Sequence, residues 1–278
     1  MKSKLTFLLL ALLIATSSIA QKKEKIKGSK IVTLTVKEIA SFDAIDFGDN
    51  LDVFLVKGEK NSIEIEADDN LHDAIVYEII GNTLMISTTK NIISSKKFNI
   101  RINYSSELKM VVVKEKATLN ALADLNLENI VIKNFDNSKS LLNVKSTNFT
   151  LQLNDKAEAE LNIKADKCKI ELLDNSSMKS LITTQELSLD MYQKSKASVE
   201  GDVNLAYIRL DNNASLDAKT LSVSEMNIST EMNSNCQINI KDKVVISATG
   251  KSEIELLGDP KIELDVFKNN ATLKKIEK

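Results

Sequence analysis

A tripeptide pattern recurs through the second half of this chain, and its spacing constrains the fold more than any other feature. The copies are Asp136-Asn137-Ser138, Asp155-Lys156-Ala157, Asp174-Asn175-Ser176, Gln193-Lys194-Ser195, Asn212-Asn213-Ala214, Met232-Asn233-Ser234 and Gly250-Lys251-Ser252. Their first residues, the anchors, lie 19 apart over the first five copies, then 20 and 18 apart. The flanks repeat as well. Four residues before each anchor stand Ile132, Leu151, Ile170, Leu189, Ile208, Ile228 and Ile246; six before stand Ile130, Phe149, Cys168, Leu187, Ala206, Met226 and Val244. Two after, the residue is always Ser or Ala. Apolar residues on alternate positions mark a strand with one buried face. The anchor itself reads as a corner, because Asp, Asn and Gly tolerate the left-handed backbone of a tight bend.

One such unit cannot bury its apolar face alone, whereas stacked units build a continuous core. A strand-corner-strand unit of 19 residues suits one coil of a parallel β-helix, and a small residue just inside each corner suits the narrow space there. A sandwich of hairpins would instead show a turn signal on every strand. The expected fold is therefore all-β, a β-solenoid with about seven regular coils. In that register Cys168 and Cys236, the two cysteines, sit three coils apart, or ~14 Å at the usual strand spacing. A disulfide needs Cα atoms within ~7 Å, so both are expected as buried free thiols.

Residues 31–113 also alternate, as in Val53 and Leu55 or Ile63 and Ile65, but without the 19-residue register. They are expected to form less regular strands of the same domain, with a short helix within Leu71 to Ile80 and a hairpin at Gly81-Asn82. The regular coils and a C-terminal cap then occupy 114–278. Gly258-Asp259-Pro260 breaks the register there, and Ile262, Leu264 and Val266 supply a last strand to close the stack. At the other end, Lys2 and Lys4, the apolar run Leu5 to Ala15 and the small residues Ser18-Ile19-Ala20 read as a signal peptide over 1–20, followed by a polar linker over 21–30. No later apolar run has the ~20 residues a membrane span needs, so no transmembrane anchor is expected. Export places the chain in the periplasm or at the cell surface.

Several motifs in order resemble the head GIN domain family, described as autotransporter adhesins. They are Phe42-Asp43-Ala44-Ile45, Leu51-Asp52-Val53-Phe54-Leu55, Lys57-Gly58, Ile65-Glu66-Ala67-Asp68-Asp69-Asn70-Leu71, Leu84-Met85-Ile86-Ser87 and Leu257-Gly258-Asp259-Pro260. The resemblance spans about residues 31 to 270. It implies a right-handed parallel β-helix and an adhesin-like role. Asn and Lys stand at the corners here where the family usually has Gly.

Residues able to do chemistry are few. The net charge is −2, with 37 basic and 39 acidic residues, which argues against nucleic acid as a partner. His72 is the one histidine and reads as a surface residue. No metal site, cofactor or catalytic set is expected. The Asp136, Asp155 and Asp174 carboxylates would stack at one corner of successive coils. Calcium could relieve their repulsion, or the pairs could serve a carbohydrate-active enzyme. The plainer reading is a corner ladder bonded to neighbouring backbone N–H groups. Asp68-Asp69 and Lys274-Lys275 read as solvated surface. The expected role is binding, with an envelope protein or a glycan as partner and homo-oligomerisation left open.

Overall fold

The computed structural model describes residues 23–105 and 108–277; the expected signal peptide lies outside them. The chain winds into a β-solenoid of about nine turns. Strands Lys139–Leu153, Glu158–Leu172, Ser177–Met191 and Lys196–Leu210 are each 15 residues long, and each pairs in parallel with the next, 19 residues on. Between them lies the four-residue corner. Every anchor from Asp136 to Gly250 has a positive φ. So do Asp49 (62°), Glu115 (59°) and Asn269 (63°), which extends the corner column to ten residues among those described. Within a corner, the residue two after the anchor donates its N–H to the residue before it, as in Ala157 to Asn154 at 3.0 Å. Between corners, the residue after each anchor donates to the anchor carbonyl one coil earlier, at 2.6–2.9 Å from Lys116 to Asn270.

An odd repeat cannot close on a period of two without one change of phase per coil. The corner does not supply it, since Leu153 and Ala157 on either side are both buried. The change occurs inside the long strand. Ala165 is half-buried, Asp166 and Lys167 both face solvent, and burial resumes at Cys168. Thr147, Asp166, Gln185 and Asn204 occupy this second bend and drop out of the strand register. Thr184 supports it from within, donating to the carbonyl of Asp166 at 3.0 Å or of Glu186 at 3.2 Å. The irregular coils keep their corners in line and absorb the extra residue as a bulge within Asp217–Leu221, opposite Ser198–Gly201. Gly201 has φ +114°, and a Cβ there would lie 2.1 Å from the Ile182 carbonyl oxygen.

The first turn begins earlier than expected. Ala44–Phe47 and Asp52–Lys57 pair in parallel with Met110–Val113 and Thr118–Ala121. Below that turn the sheet direction becomes mixed. Thr83–Thr88 and Phe98–Tyr104 continue the parallel columns, and Ile75–Ile80, Ser62–Asp68 and Val32–Glu38 add antiparallel strands beneath them. Helix in the expected region is limited to the 3₁₀ turn Asp69–Ala74. From Ile75 onward the chain is a strand, because β-branched and aromatic residues such as Ile75, Tyr77 and Ile79 pack on a pleated surface. It forms the expected Gly81-Asn82 hairpin, pairing Ile80 with Thr83. The stretch 21–30 is more than a linker: Lys25–Lys27 pairs in parallel with Asn91–Ser94. At the far end Asp265 bulges, so Phe267, not Val266, continues the inward row after Ile262 and Leu264.

Asp68 is fully buried, contrary to its reading as solvated surface. Its carboxylate accepts backbone N–H bonds from Lys30 at 3.0 Å, Lys96 at 3.0 Å and Lys97 at 3.1 Å. Gly28 permits this, since a Cβ there would lie 2.0 Å from the carboxylate oxygen. Burial alone would push the Asp68 carboxyl up; the three donors and the Lys30 charge outweigh it and hold it below the ordinary 3.8. A depressed carboxyl stabilises the fold above about pH 4 and loses that contribution as pH falls through its folded value. Asp68→Asn is therefore expected to lower stability at neutral pH and to weaken the acid-side decline seen in the parent. Denaturant midpoints from pH 7 down to pH 3 check this; parallel curves for the two proteins would contradict it. At the Met232 corner, a left-handed residue with an exposed side chain, Met232→Asn is expected to stabilise by about 1 kcal/mol, because Asn tolerates that backbone better. An unchanged or lower denaturant midpoint would contradict the strain argument.

Candidate functional site

The corner edge holds Asp136, Asp155 and Asp174. Asp136 and Asp155 are exposed and Asp174 is half-buried. Each carboxylate points back along the solenoid axis. Asp136 accepts the Glu115 N–H at 2.9 Å, Asp155 the Asp136 N–H at 3.1 Å, and Asp174 the Asp155 N–H at 3.4 Å. These bonds satisfy N–H groups that the left-handed corners turn outward. The three acids thus line one edge, with one oxygen of each carboxylate engaged by backbone. Among the described residues no group of three or more His, Cys, Asp or Glu side chains could share a metal ion.

His72 is half-buried rather than a free surface group. Its ring nitrogens lie 2.9 Å from the Thr33 hydroxyl and 3.2 Å from that of Thr35. This places it in the polar cover of the N-terminal end. Cys168 and Cys236 are both buried and free. Burial pushes each thiol up to about 12, so neither is a nucleophile near neutral pH.

Among the concave features of the described residues, two differ sharply in character. One is a groove of about 740 Å³ between the Lys25–Lys27/Asn91–Ser94 pair and the Asp49 and Glu115 corners. Lysines and acids both line it, and ion pairs absorb much of the charge: Lys23 with Asp49, Lys90 with Glu24 at 3.4 Å, and Lys97 with Glu66 at 3.4 Å. The other is a shallow depression of about 310 Å³ on the flat face between the second bend and the corner.

That flat face is built by strand alternation. Residues three and five before each anchor point outward and line up from coil to coil. One row runs Lys169, Ser188, Tyr207, Asn227; the next runs Glu171, Asp190, Arg209, Ser229. Neighbours within a row are ~4.8 Å apart. The Tyr207 side chain stands exposed at the centre. Arg209 is held on one side by the Tyr192 ring, 5.6 Å from its centroid, and on the other by Glu231 at 3.6 Å. An aromatic ring beside a fixed guanidinium, a carboxylate and an amide can present an apolar contact and several hydrogen-bonding groups in one plane. The tripeptide does not reveal this group. Its signal is the pair of rows at fixed offsets from the anchor, where most outward residues are small or charged and one is aromatic.

Comparison with known proteins agrees with the architecture. A crystal structure titled a "putative adhesin" from Parabacteroides merdae has a TM-score of 0.64 at 19% identity, covering 91% of this chain and 99% of that one. A "putative adhesin" from Parabacteroides distasonis gives 0.66 at 17%, covering 91% and 100%. A "putative lipid binding protein" from the same species gives 0.58 at 16%, with the same coverage. At these identities the likeness shows the fold. No curated protein matches the sequence. The model of one family matches residues 41–260, and this chain belongs to that family, described as "putative auto-transporter adhesin, head GIN domain".

Proposed function

We propose that this protein is a non-catalytic binding protein that acts outside the cytoplasm and engages a glycan of the cell envelope through the flat face around Tyr207. The observation that carries this reading is the exposed Tyr207 ring, set in rigid rows with Asp190, Arg209 and Asn227. Strand pairing on both sides fixes these side chains' origins, so little ordering cost accompanies binding. Sugar rings offer C–H surfaces to an aromatic face and hydroxyls to charged neighbours, which is the chemistry the rows present. Membership of an adhesin family supports a binding role. The engagement of the Asp136, Asp155 and Asp174 carboxylates with backbone gives no support to carbohydrate cleavage at that edge.

A glycan array covering bacterial and host polysaccharides, followed by titration of the hits, tests this. Tyr207→Ala is expected to weaken binding about tenfold or more, equivalent to ~1.4 kcal/mol. Substituting the corner acid Asp155→Asn is expected to leave affinity unchanged. An array without hits, or full affinity in Tyr207→Ala, would overturn the proposal.

A further inference from the structure

The two ends of the solenoid are chemically unlike. At the N-terminal end the terminal strand Val32–Glu38 turns Thr33, Thr35 and Lys37 to the core side, opposite Ala67, Ile65 and Ile63. His72 bridges the two threonines, and the Lys37 ammonium lies 5.9 Å from the Tyr77 ring centroid. That end carries a polar cover. Leu34 and Val36 of the same strand are exposed, but on its outer side, opposite Glu66 and Glu64.

Among the described residues the C-terminal end is covered on one half only: Thr272–Lys275 lies on Glu253–Leu256, with Lys275 ion-paired to Asp259, and the other half is open. Strand Lys261–Phe267 pairs on one side with Asn235–Ala248 and on the other with nothing among the described residues. Its inward row is apolar. Ile262, Leu264 and Phe267 are 43%, 53% and 40% exposed, whereas their partners one coil earlier, Val244, Ile246 and Ala248, are all 0% exposed. An open strand edge flanked by an apolar row is a template for another strand.

We propose that this end is a self-association surface, on which Lys261–Phe267 pairs antiparallel with the same strand of a second copy. The first five residues of the strand, Lys261 to Asp265, are complementary to themselves. An antiparallel register centred on Glu263 sets Ile262 against Leu264 of the second copy, twice, on the core side. On the outer side it sets Lys261 against Asp265, also twice. The two Glu263 carboxylates meet at the centre, each neutralised within its own copy by Lys243 at 2.9 Å and Lys261 at 3.1 Å. Stacking this apolar row on the other end of a second molecule would instead bury Thr33, Thr35 and Lys37 against it, with a desolvation cost. Tail-to-tail pairing also closes on itself as a two-fold dimer and leaves both polar ends outward. The end of one coil is small beside the ~800 Å² per partner of a standard interface, so the dimer is weak and concentration-dependent. It would present two Tyr207 faces on one rigid rod.

Sedimentation velocity of the purified protein across a concentration series tests the proposal. The expected result is a reversible monomer–dimer equilibrium. Leu264→Lys, at an exposed position that the fold tolerates, should raise the dissociation constant by roughly tenfold or more with an unchanged circular dichroism spectrum. Lys261→Asp and Asp265→Lys should each weaken the dimer, and the two together should restore it. A protein that stays monomeric throughout, a dimer indifferent to Leu264→Lys, or a double swap no better than either single change would overturn the assignment.

Discussion

The structure depends on one backbone hydrogen bond repeated along its edge, from the residue after each anchor to the anchor carbonyl one coil earlier. It requires every anchor to adopt a left-handed backbone, and all ten in the column do. Because these bonds hold the corners in phase, variation in coil length must appear elsewhere. The strands take it up as bulges, in Asp217–Leu221 opposite Gly201 and in Ala218–Ser222 opposite Ile238–Asn239. The column also explains the buried small residues. Ser138, Ala157, Ser176 and Ser195 lie directly inside the corner and are fully buried, where a larger side chain would press on the turn.

Much of this was legible in the residues. Spacing and alternation carried the solenoid, the inward rows and the separation of the cysteines. The second bend escaped because Thr147, Asp166, Gln185 and Asn204 share no residue type and no left-handed backbone; the oddness of the repeat is its sole trace. The first turn was hidden for a different reason. The anchors Asp49 and Glu115 have the corner geometry, but the cap strands intervene between them in sequence. Asp68 was misread because an acidic pair looks solvated when its backbone donors come from segments 28 and 38 residues away.

The candidate binding face was legible only in part. Tyr192 and Tyr207 are the two tyrosines of the regular coils, too few to mark a site by themselves, and the role of Arg209 emerges only when adjacent coils bring it over Tyr192. The corner acids, the most regular chemical feature in the sequence, prove to be bonded to backbone. Regularity along a solenoid serves the stack first, and departures from it, such as a tyrosine in a row of small and charged residues, are better guides to a partner. The two ends follow the same logic: each must resolve an open edge, and among the described residues the apolar row Ile262, Leu264 and Phe267 stays exposed at one of them.

Corner phase sets the fold. Removing one complete coil, residues 155–173, should rejoin the corner column and leave every row in register. Removing one residue fewer should break the column. Denaturant unfolding of both deletions measures the difference. The full-coil deletion is expected to retain a strand spectrum and a cooperative transition at somewhat lower stability, and the shorter deletion to lose both or most of its stability. Equal damage from the two deletions would contradict it.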